Sequence, residues 1–260
     1  LQQASRPTPQ RLDMALHFVV ADLPAGADTT EVVLTGAEAH HAAAVRRVRI
    51  GEDVTIGDGR GVWLTGTVSS VAPKEVVVTL DVARARVIDK PRPRVALVQA
   101  LAKGDRDELA VQTATELGVD DVVPWQASRS ISRWDAAKAA KGVARWESIA
   151  REAAKQAHRA WLPEVAAPVT TPQLVQLALS GRMLVLDPTA KEKLSEVEFE
   201  AADVTPILLV VGPEGGITPE ELASLTEAGA RRVRLGDTVL RTSTAGPAAL
   251  TVVNLSLGRW

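Results

Sequence analysis

The stretch Leu208-Leu-Val-Val-Gly-Pro-Glu-Gly-Gly-Ile217 decides how this chain is read. Its first half is a short unbroken apolar run, the pattern of a strand buried on both faces of a parallel sheet. Three glycines and a proline then end the strand in an irregular loop. Thr218-Pro-Glu-Glu221 follows as a capping box. Thr218 can cap, Pro219 suits the first helical position, and Glu221 can reach back to the cap N–H. Ile217 and Leu222 stand where a hydrophobic staple would lie. The loop Gly212 to Gly216 therefore runs from a strand end into a helix N-terminus.

A second loop, Leu235-Gly-Asp-Thr-Val-Leu-Arg-Thr-Ser-Thr-Ala245, is a Leu-Gly turn and a hydroxyl-rich bend ahead of another apolar helix. Two glycine loops, each following a strand of one sheet, can wrap a small ligand with backbone N–H and C=O groups. The glycines of the first loop also fit a bare tight turn, and that loop alone leaves both readings open. Neither Gly-x-Gly-x-x-Gly nor Gly-x-x-x-x-Gly-Lys-Ser/Thr occurs, which disfavours a phosphate loop. Glu214 would repel a phosphate and suits a cationic or hydroxyl-bearing ligand better.

The 260 residues, 46% hydrophobic and 24% charged, have the composition of a soluble globular protein of one or two domains. No apolar stretch approaches the roughly 20 residues that span a bilayer, and no secretory pattern opens the chain. No membrane partner and a cytoplasmic location are therefore expected. With no cysteine, disulfides, thiolate catalysis and thiolate zinc sites are excluded. The histidines are His17, His40, His41 and His158; the adjacent pair reads as part of a helix, and no metal site is expected.

The net charge of -2 argues against a generally adhesive nucleic-acid binder, but the charge is uneven. Between Ala127 and Ala160 eight Lys/Arg face three acids, a local excess of five positive charges. Arg46-Arg47-Val48-Arg49 is a second basic cluster and Arg84 to Arg94 a third. Any one such run is usually a solvated face; three together point to a localised anion-binding surface.

Residues 1–13 are polar and patternless and read as a tail, with Met14 as a natural start. From Leu16 to about Ala83 short strands dominate (16–20, 32–34, 54–56, 62–71, 76–82), with one helix from Ala37 to Val48. This predicts a small β-barrel, compatible with RNA binding. Arg84 to Arg94, with two prolines, reads as a linker. Beyond it strands and helices alternate: strands at 95–100, 122–124, 183–186, 207–211 and 232–235, helices at 105–117, 138–160, 173–179, 219–228 and 244–257. That alternation predicts an α/β domain with a parallel sheet. The domains expected are 14–86 and 87–260. On the long helix, Arg145, Glu152, Gln156 and Arg159 form one polar stripe beside an apolar one of Trp146, Ile149, Ala153 and Ala157. The polar stripe reads either as an ordinary surface network or as the wall of a substrate cleft.

Further motifs accompany the two loops: Glu38-Ala-His-His41 with Val45-Arg-Arg47, Leu101-Ala-Lys-Gly-Asp-Arg106, Ala114-Thr-Glu-Leu-Gly-Val119, and Arg145-Trp-x-x-Ile-Ala-x-Glu-Ala-Ala-x-Gln-x-x-Arg159. From about Met14 to the end the chain resembles the SPOUT methyltransferases, and among them the RsmE family, which methylates N3 of a uridine in small-subunit ribosomal RNA. The resemblance implies an N-terminal PUA-like barrel and a C-terminal α/β domain with a deep trefoil knot. It further implies S-adenosylmethionine (SAM) as methyl donor, a homodimer, and 16S rRNA of the 30S subunit, near its 3′ end, as substrate. Carried over by position, the cofactor residues are Leu186, Gly212, Pro213, Glu214, Gly215, Gly216, Leu235, Gly236, Val239, Leu240, Arg241, Thr242 and Ala245. Where the family usually has Glu, this chain has Ser243, which is no base at neutral pH.

Uracil N3 must lose a proton to become a nucleophile. A positioned base contributes roughly 10²–10⁴-fold, and an Arg can stabilise the developing anion. Arg129, Arg159 and Arg241 are the Arg candidates, and Glu152 or Glu214 the base. RNA contacts are expected from Arg46, Arg47 and Arg49 in the barrel, and from Lys103, Arg106, Arg129, Arg133, Gln156 and Arg159 in the second domain. Base chemistry needs an unstacked nucleotide. With no tyrosine, stacking falls to Trp or Arg planes; Trp125 and Trp134 flank the basic loop, with core packing the expected role of Trp125. The rival readings are a SPOUT enzyme acting on a ribose 2′-OH or a tRNA guanine, and a catalytically silent RNA-binding assembly factor.

Overall fold

The computed structural model describes residues 15–21, 23, 29–200 and 202–260; the tail read at residues 1–13 lies outside them. The chain divides into two compact units between Ile88 and Asp89.

In the first unit, β1 (Leu16–Val19), β2 (Glu31–Thr35), β3 (Asp53–Gly57), β4 (Val62–Ala72) and β5 (Glu75–Leu80) form one sheet in the order β1-β3-β4-β5-β2, and β6 (Arg86–Val87) also pairs with β4. A register shift between Val68 and Ser70 bends β4, as a bulge does. Phe18, Leu34, Val54, Ile56, Val68, Val76 and Val78 bury together on the inner side. The expected helix at 37–48 is α1 (Gly36–His40), running on into a π-helical turn from His41 to Arg46. It stops early because Arg47 turns left-handed, at φ 55°. The Val48 N–H can then bond the Ala42 carbonyl while the Val48 side chain buries. Arg46, Arg47 and Arg49 are left exposed around it. The stretch read as a linker is partly structured, because β6 supplies a strand to the sheet.

The second unit contains β7 (Val95–Ala100), α2 (Arg106–Glu116), β8 (Asp121–Gln126), α3 (Ala136–Gln156), β9 (Glu164–Val165), β10 (Val169–Thr170), α4 (Thr171–Ala178), β11 (Arg182–Leu186), β12 (Ile207–Val211), α5 (Pro219–Glu227), β13 (Arg231–Val233) and α6 (Thr242–Ser256). Its strands run parallel in the order β10-β8-β7-β12-β11-β13, with β9 beside β8. The apolar run Ile207–Val211 is therefore an inner strand between β7 and β11, and all five of its residues are buried. Period-two alternation divides it between two cores. Ile207, Leu209 and Val211 join Leu97 and residues of α2, α3 and α6 on one face. Leu208 and Val210 join Val98, Trp125 and residues of α4 and α5 on the other. Both faces are covered, as a parallel sheet requires.

The long helix differs from its sequence reading. Asp135 caps it by accepting from the Lys138 N–H at 2.9 Å, and it ends at Gln156 instead of running to 160. His158 adopts φ 53°, which turns the chain before Pro163 is reached. Arg159 therefore leaves the stripe of Arg145, Glu152 and Gln156. Its guanidinium donates to the Thr115 carbonyl at 3.1 Å and lies 3.9 Å from Asp120, which also pairs with Arg259 at 3.2 Å. Lys155, on the same helix, is buried although charged.

Candidate active site

The C-terminal ends of β11, β12 and β13 open into a cavity of about 610 Å³. This is where open parallel sheets bind ligands, and the volume suits a cofactor-sized molecule. Of the residues assigned to a cofactor, Leu186, Gly212, Pro213, Glu214, Gly216, Leu235, Gly236, Val239, Leu240, Arg241, Thr242 and Ala245 line it. Gly215 is not among the lining residues; its carbonyl accepts from Arg129 Nη1 at 2.9 Å. Asp187, Thr189 and Arg234 also line the cavity, which the sequence did not disclose.

The first loop is held by close packing. A Cβ on Gly212 would lie 2.6 Å from Ile217 Cγ1, so only glycine lets the staple residue fold back over the strand end. Gly216, at φ 74°, turns the chain and donates to the Pro213 carbonyl at 2.8 Å. The capping box forms, with the Glu221 N–H donating to Thr218 Oγ1 at 3.2 Å and the Thr218 N–H to Glu221 Oε2 at 3.1 Å. Glu221 does more than cap: its Oε1 accepts from the Ser128 N–H and hydroxyl, both at 2.9 Å, and from the Thr171 hydroxyl at 2.7 Å. One carboxylate thus joins the loop after β8 and the N-termini of α4 and α5. Burial alone would lift its pKa, but these hydrogen bonds hold it below the usual glutamate value.

The two loops meet through a residue that sequence reasoning missed. Gln99, the penultimate residue of β7 and fully buried, donates from Nε2 to Thr242 Oγ1 at 2.9 Å. The Thr242 hydroxyl donates in turn to the Gly212 carbonyl at 2.9 Å. The same Nε2 also donates to the Ala100 carbonyl at 3.2 Å, which fixes the amide orientation. The only signal in the sequence was one polar residue inside an otherwise apolar strand, Val95-Ala-Leu-Val-Gln-Ala100.

Glu214 sits at the cavity wall, bonded by Arg106 Nη1 at 2.8 Å and by the Lys103 N–H at 3.2 Å. Partial burial pushes its carboxyl up, yet its own N–H, Arg106 and the Lys103 N–H bring it below the usual range. It is a held carboxylate and a counter-charge for a cation. Asp187 is tied to Thr189 at 2.8 Å and to Arg232 at 2.7 Å, which fixes the loop after β11.

The remaining candidates separate by place. Arg241 lines the cavity and Arg129 lies on the outer side of the glycine loop, so these two are brought to the site. Within the chain Arg159 is not: its partner Asp120 precedes β8, at the opposite end of the sheet. Burial lowers the Arg159 guanidinium to about 10, with Asp120 raising it and Arg259 lowering it. It is charged at neutral pH and is held in this ion cluster within the chain. Glu152 is an exposed residue of α3 paired with Lys155 at 3.4 Å, and Gln156 is exposed at the end of that helix. Ser243 is buried in the first turn of α6. Trp125 is fully buried in the core, and Trp134 packs edge-on to Trp146 at 5.3 Å. Arg46, Arg47 and Arg49 belong to the first unit and are exposed there.

Fold and site together define a two-unit α/β protein with a cofactor-sized cavity at the C-terminal ends of a parallel sheet, and comparison with known proteins makes it an RNA methyltransferase. The family described as RNA methyltransferase domain matches residues 89–254, and that described as RNA methyltransferase PUA domain matches 34–81. The ribosomal RNA small subunit methyltransferase E of Mycobacterium bovis is 44% identical over 95% of this chain and 94% of its own length. The protein of that name from Bacillus subtilis is 33% identical over 85% and 88%. Among solved structures, a methyltransferase of Legionella pneumophila in complex with SAM has a TM-score of 0.79 at 28% identity, covering 93% of this chain and 97% of that one. The small subunit methyltransferase E of Neisseria gonorrhoeae, bound to SAM, gives 0.78 at 27% identity with the same coverage. The chain belongs to the ribosomal RNA small subunit methyltransferase E family.

Proposed function

We propose that this chain methylates N3 of a uridine near the 3′ end of 16S rRNA in the 30S subunit, using SAM held in the cavity at the ends of β11, β12 and β13. The observation that carries the reading is the convergence of twelve of the thirteen assigned cofactor residues on that one cavity. Its walls suit the donor. Leu186, Leu235, Val239 and Leu240 supply apolar surface, loop N–H and C=O groups are at hand for the polar edge, and Glu214 offers a negative charge to a cationic sulfonium or ammonium group. SAM, when bound, would supply an electrophilic methyl that a nitrogen nucleophile can take in line, the C–S bond breaking and the neutral thioether leaving.

The chain's own residues do the rest. The two loops fix where the methyl is presented, and placement supplies much of the acceleration in such a displacement. Arg241 and Arg129 flank the glycine loop, where positive charge favours loss of the N3 proton and stabilises the uracil anion. Of the two carboxylates weighed as base, only Glu214 lines the cavity, and its lowered pKa makes it a poor proton acceptor. The proton therefore leaves to solvent, and Glu214 serves the donor's charge. RNA is held by Arg46, Arg47 and Arg49 on the first unit and by Lys103, Arg106 and Arg129 near the cavity. The same reading includes a homodimer, the knotted C-terminal unit its family resemblance implies, and a cytoplasmic location beside ribosome assembly. The test is incubation with labelled SAM and 30S subunits lacking the modification, followed by nucleoside analysis. 3-Methyluridine is the expected product, and a methylated ribose or guanine would replace this reading with another acceptor.

A further inference from the structure

A second cavity, of about 500 Å³, opens between the N-terminus of α2 and the outer face of α3. Arg133, Lys138, Lys141 and Arg145 stand on its rim. Two acids line it as well, and two of the four cations are already paired: Arg145 with Glu108, and Lys138 with Asp135 at 3.7 Å. Asp107 is buried and accepts from the Ala102 and Glu108 N–H groups, and Glu108 is held by Arg145 Nη2 at 2.9 Å. Among the described residues Lys141 has no ion pair. Arg133 donates one N–H to the Ser128 carbonyl, leaving most of its guanidinium to the hollow.

The wall of this cavity is built at a cost. Gly142 lies in the interior of α3, where glycine is about 1 kcal/mol worse than alanine. A Cβ there would come within 2.5 Å of the Trp134 ring, so the glycine exists to let the indole lie on the helix backbone. Trp134 is thereby seated as a half-buried apolar wall beneath the cations. Arg133 and Lys141, which have no carboxylate partner among the described residues, stand over an aromatic wall, the combination that tracks a single-stranded nucleic acid, phosphates on the charges and a sugar or base edge on the ring.

Its place in the fold says which strand. The segment at the start of α2 serves both cavities, and the loop after β8, which lines the second, bonds the glycine loop that walls the first. Arg106 lines the first, while Gly104 and Asp107 line the second. Arg129 bonds the glycine loop of the first, while Ser132 to Trp134 line the second. The second cavity therefore lies beside segments that build the first.

We propose that this second cavity is a subsite for the sugar-phosphate backbone of the single-stranded rRNA segment flanking the acceptor nucleotide. The proposal rests on the rRNA-methylating reading above and adds to it where the strand is gripped.

The test is a Lys138→Glu/Lys141→Glu double variant of the full chain beside wild type and Lys141→Arg. It measures KM and kcat on 30S subunits, SAM affinity, and the salt dependence of subunit binding. Both lysines are exposed, so the fold tolerates the change. The double variant should raise KM for subunits several-fold, with kcat at saturation and SAM affinity near wild type. Its log–log salt slope should be shallower by roughly 0.7–0.9 for each phosphate no longer neutralised. Lys141→Arg should behave as wild type. Subunit KM and salt slope at wild-type values in the double variant would overturn the subsite, and so would a matching loss of SAM affinity. If wild type itself forms no 3-methyluridine, the catalytic reading fails, while subunit binding and its salt slope still decide the subsite.

Discussion

Thr242 is the residue on which the two cavity loops meet, because its hydroxyl both accepts from Gln99 and donates to Gly212. Thr242→Val keeps the shape and removes both bonds. An unmet buried polar group costs about 1–3 kcal/mol, so SAM affinity, read by calorimetry, should fall by roughly tenfold, with Thr242→Ser near wild type. Glu221 sets an acid limit. Its folded pKa lies below the ordinary 4.5. Its stabilisation is therefore complete above that value and is lost as pH falls through the depressed one. Melting temperature should drop on acidification below 4.5, and Glu221→Gln should flatten that limb while lowering stability at neutral pH. Arg159 is proposed to serve stability, through its place beside Asp120. Arg159→Ala leaves Asp120, whose pKa burial raises, short of one partner, and removing one member of a buried pair costs about 3–5 kcal/mol. Denaturant unfolding should show a loss of that order, partly relieved by Arg259, with kcat of the folded fraction retained. A large fall in kcat at unchanged stability would return Arg159 to the chemistry.

At the scale of elements, the strand–loop–helix unit from Ile207 to Glu227 was legible because every local signal agreed: an apolar run, glycines, Thr-Pro-x-Glu and a staple. Gly212→Ala puts a methyl into Ile217, so the loop must shift, and SAM affinity should fall more than global stability does. The end of α3 departs from its sequence reading for the opposite reason. Its sequence stays helical in composition to Ala160, and the left-handed turn at His158 is set by Arg159 reaching a partner on another element. The strands Glu164–Val165 and Val169–Thr170 are too short to carry a period. They exist because β8 offers an edge for pairing. Gln99 escaped notice because its meaning depends on Thr242, 143 residues away in the chain. The cofactor loops were identified by a resemblance, whereas their convergence on one cavity is a property of the sheet order.

On the scale of the whole molecule, two units divide the work. The first carries exposed arginines around a buried valine, and the second the cavity; on the proposed function, a protein of net charge -2 confines its nucleic-acid affinity to such patches. Changing Arg46, Arg47 and Arg49 together to alanine should raise KM for subunits and flatten its salt dependence. SAM affinity should stay intact, since those residues lie outside the unit that builds the cavity. On the proposed function, this cavity delivers a methyl group to uracil N3 of ribosomal RNA. The most direct test is the transfer of labelled methyl from SAM to 30S subunits that lack the modification, with digestion to nucleosides. Label in 3-methyluridine is the predicted result. SAM bound tightly with label absent, or label in any other nucleoside, would contradict it.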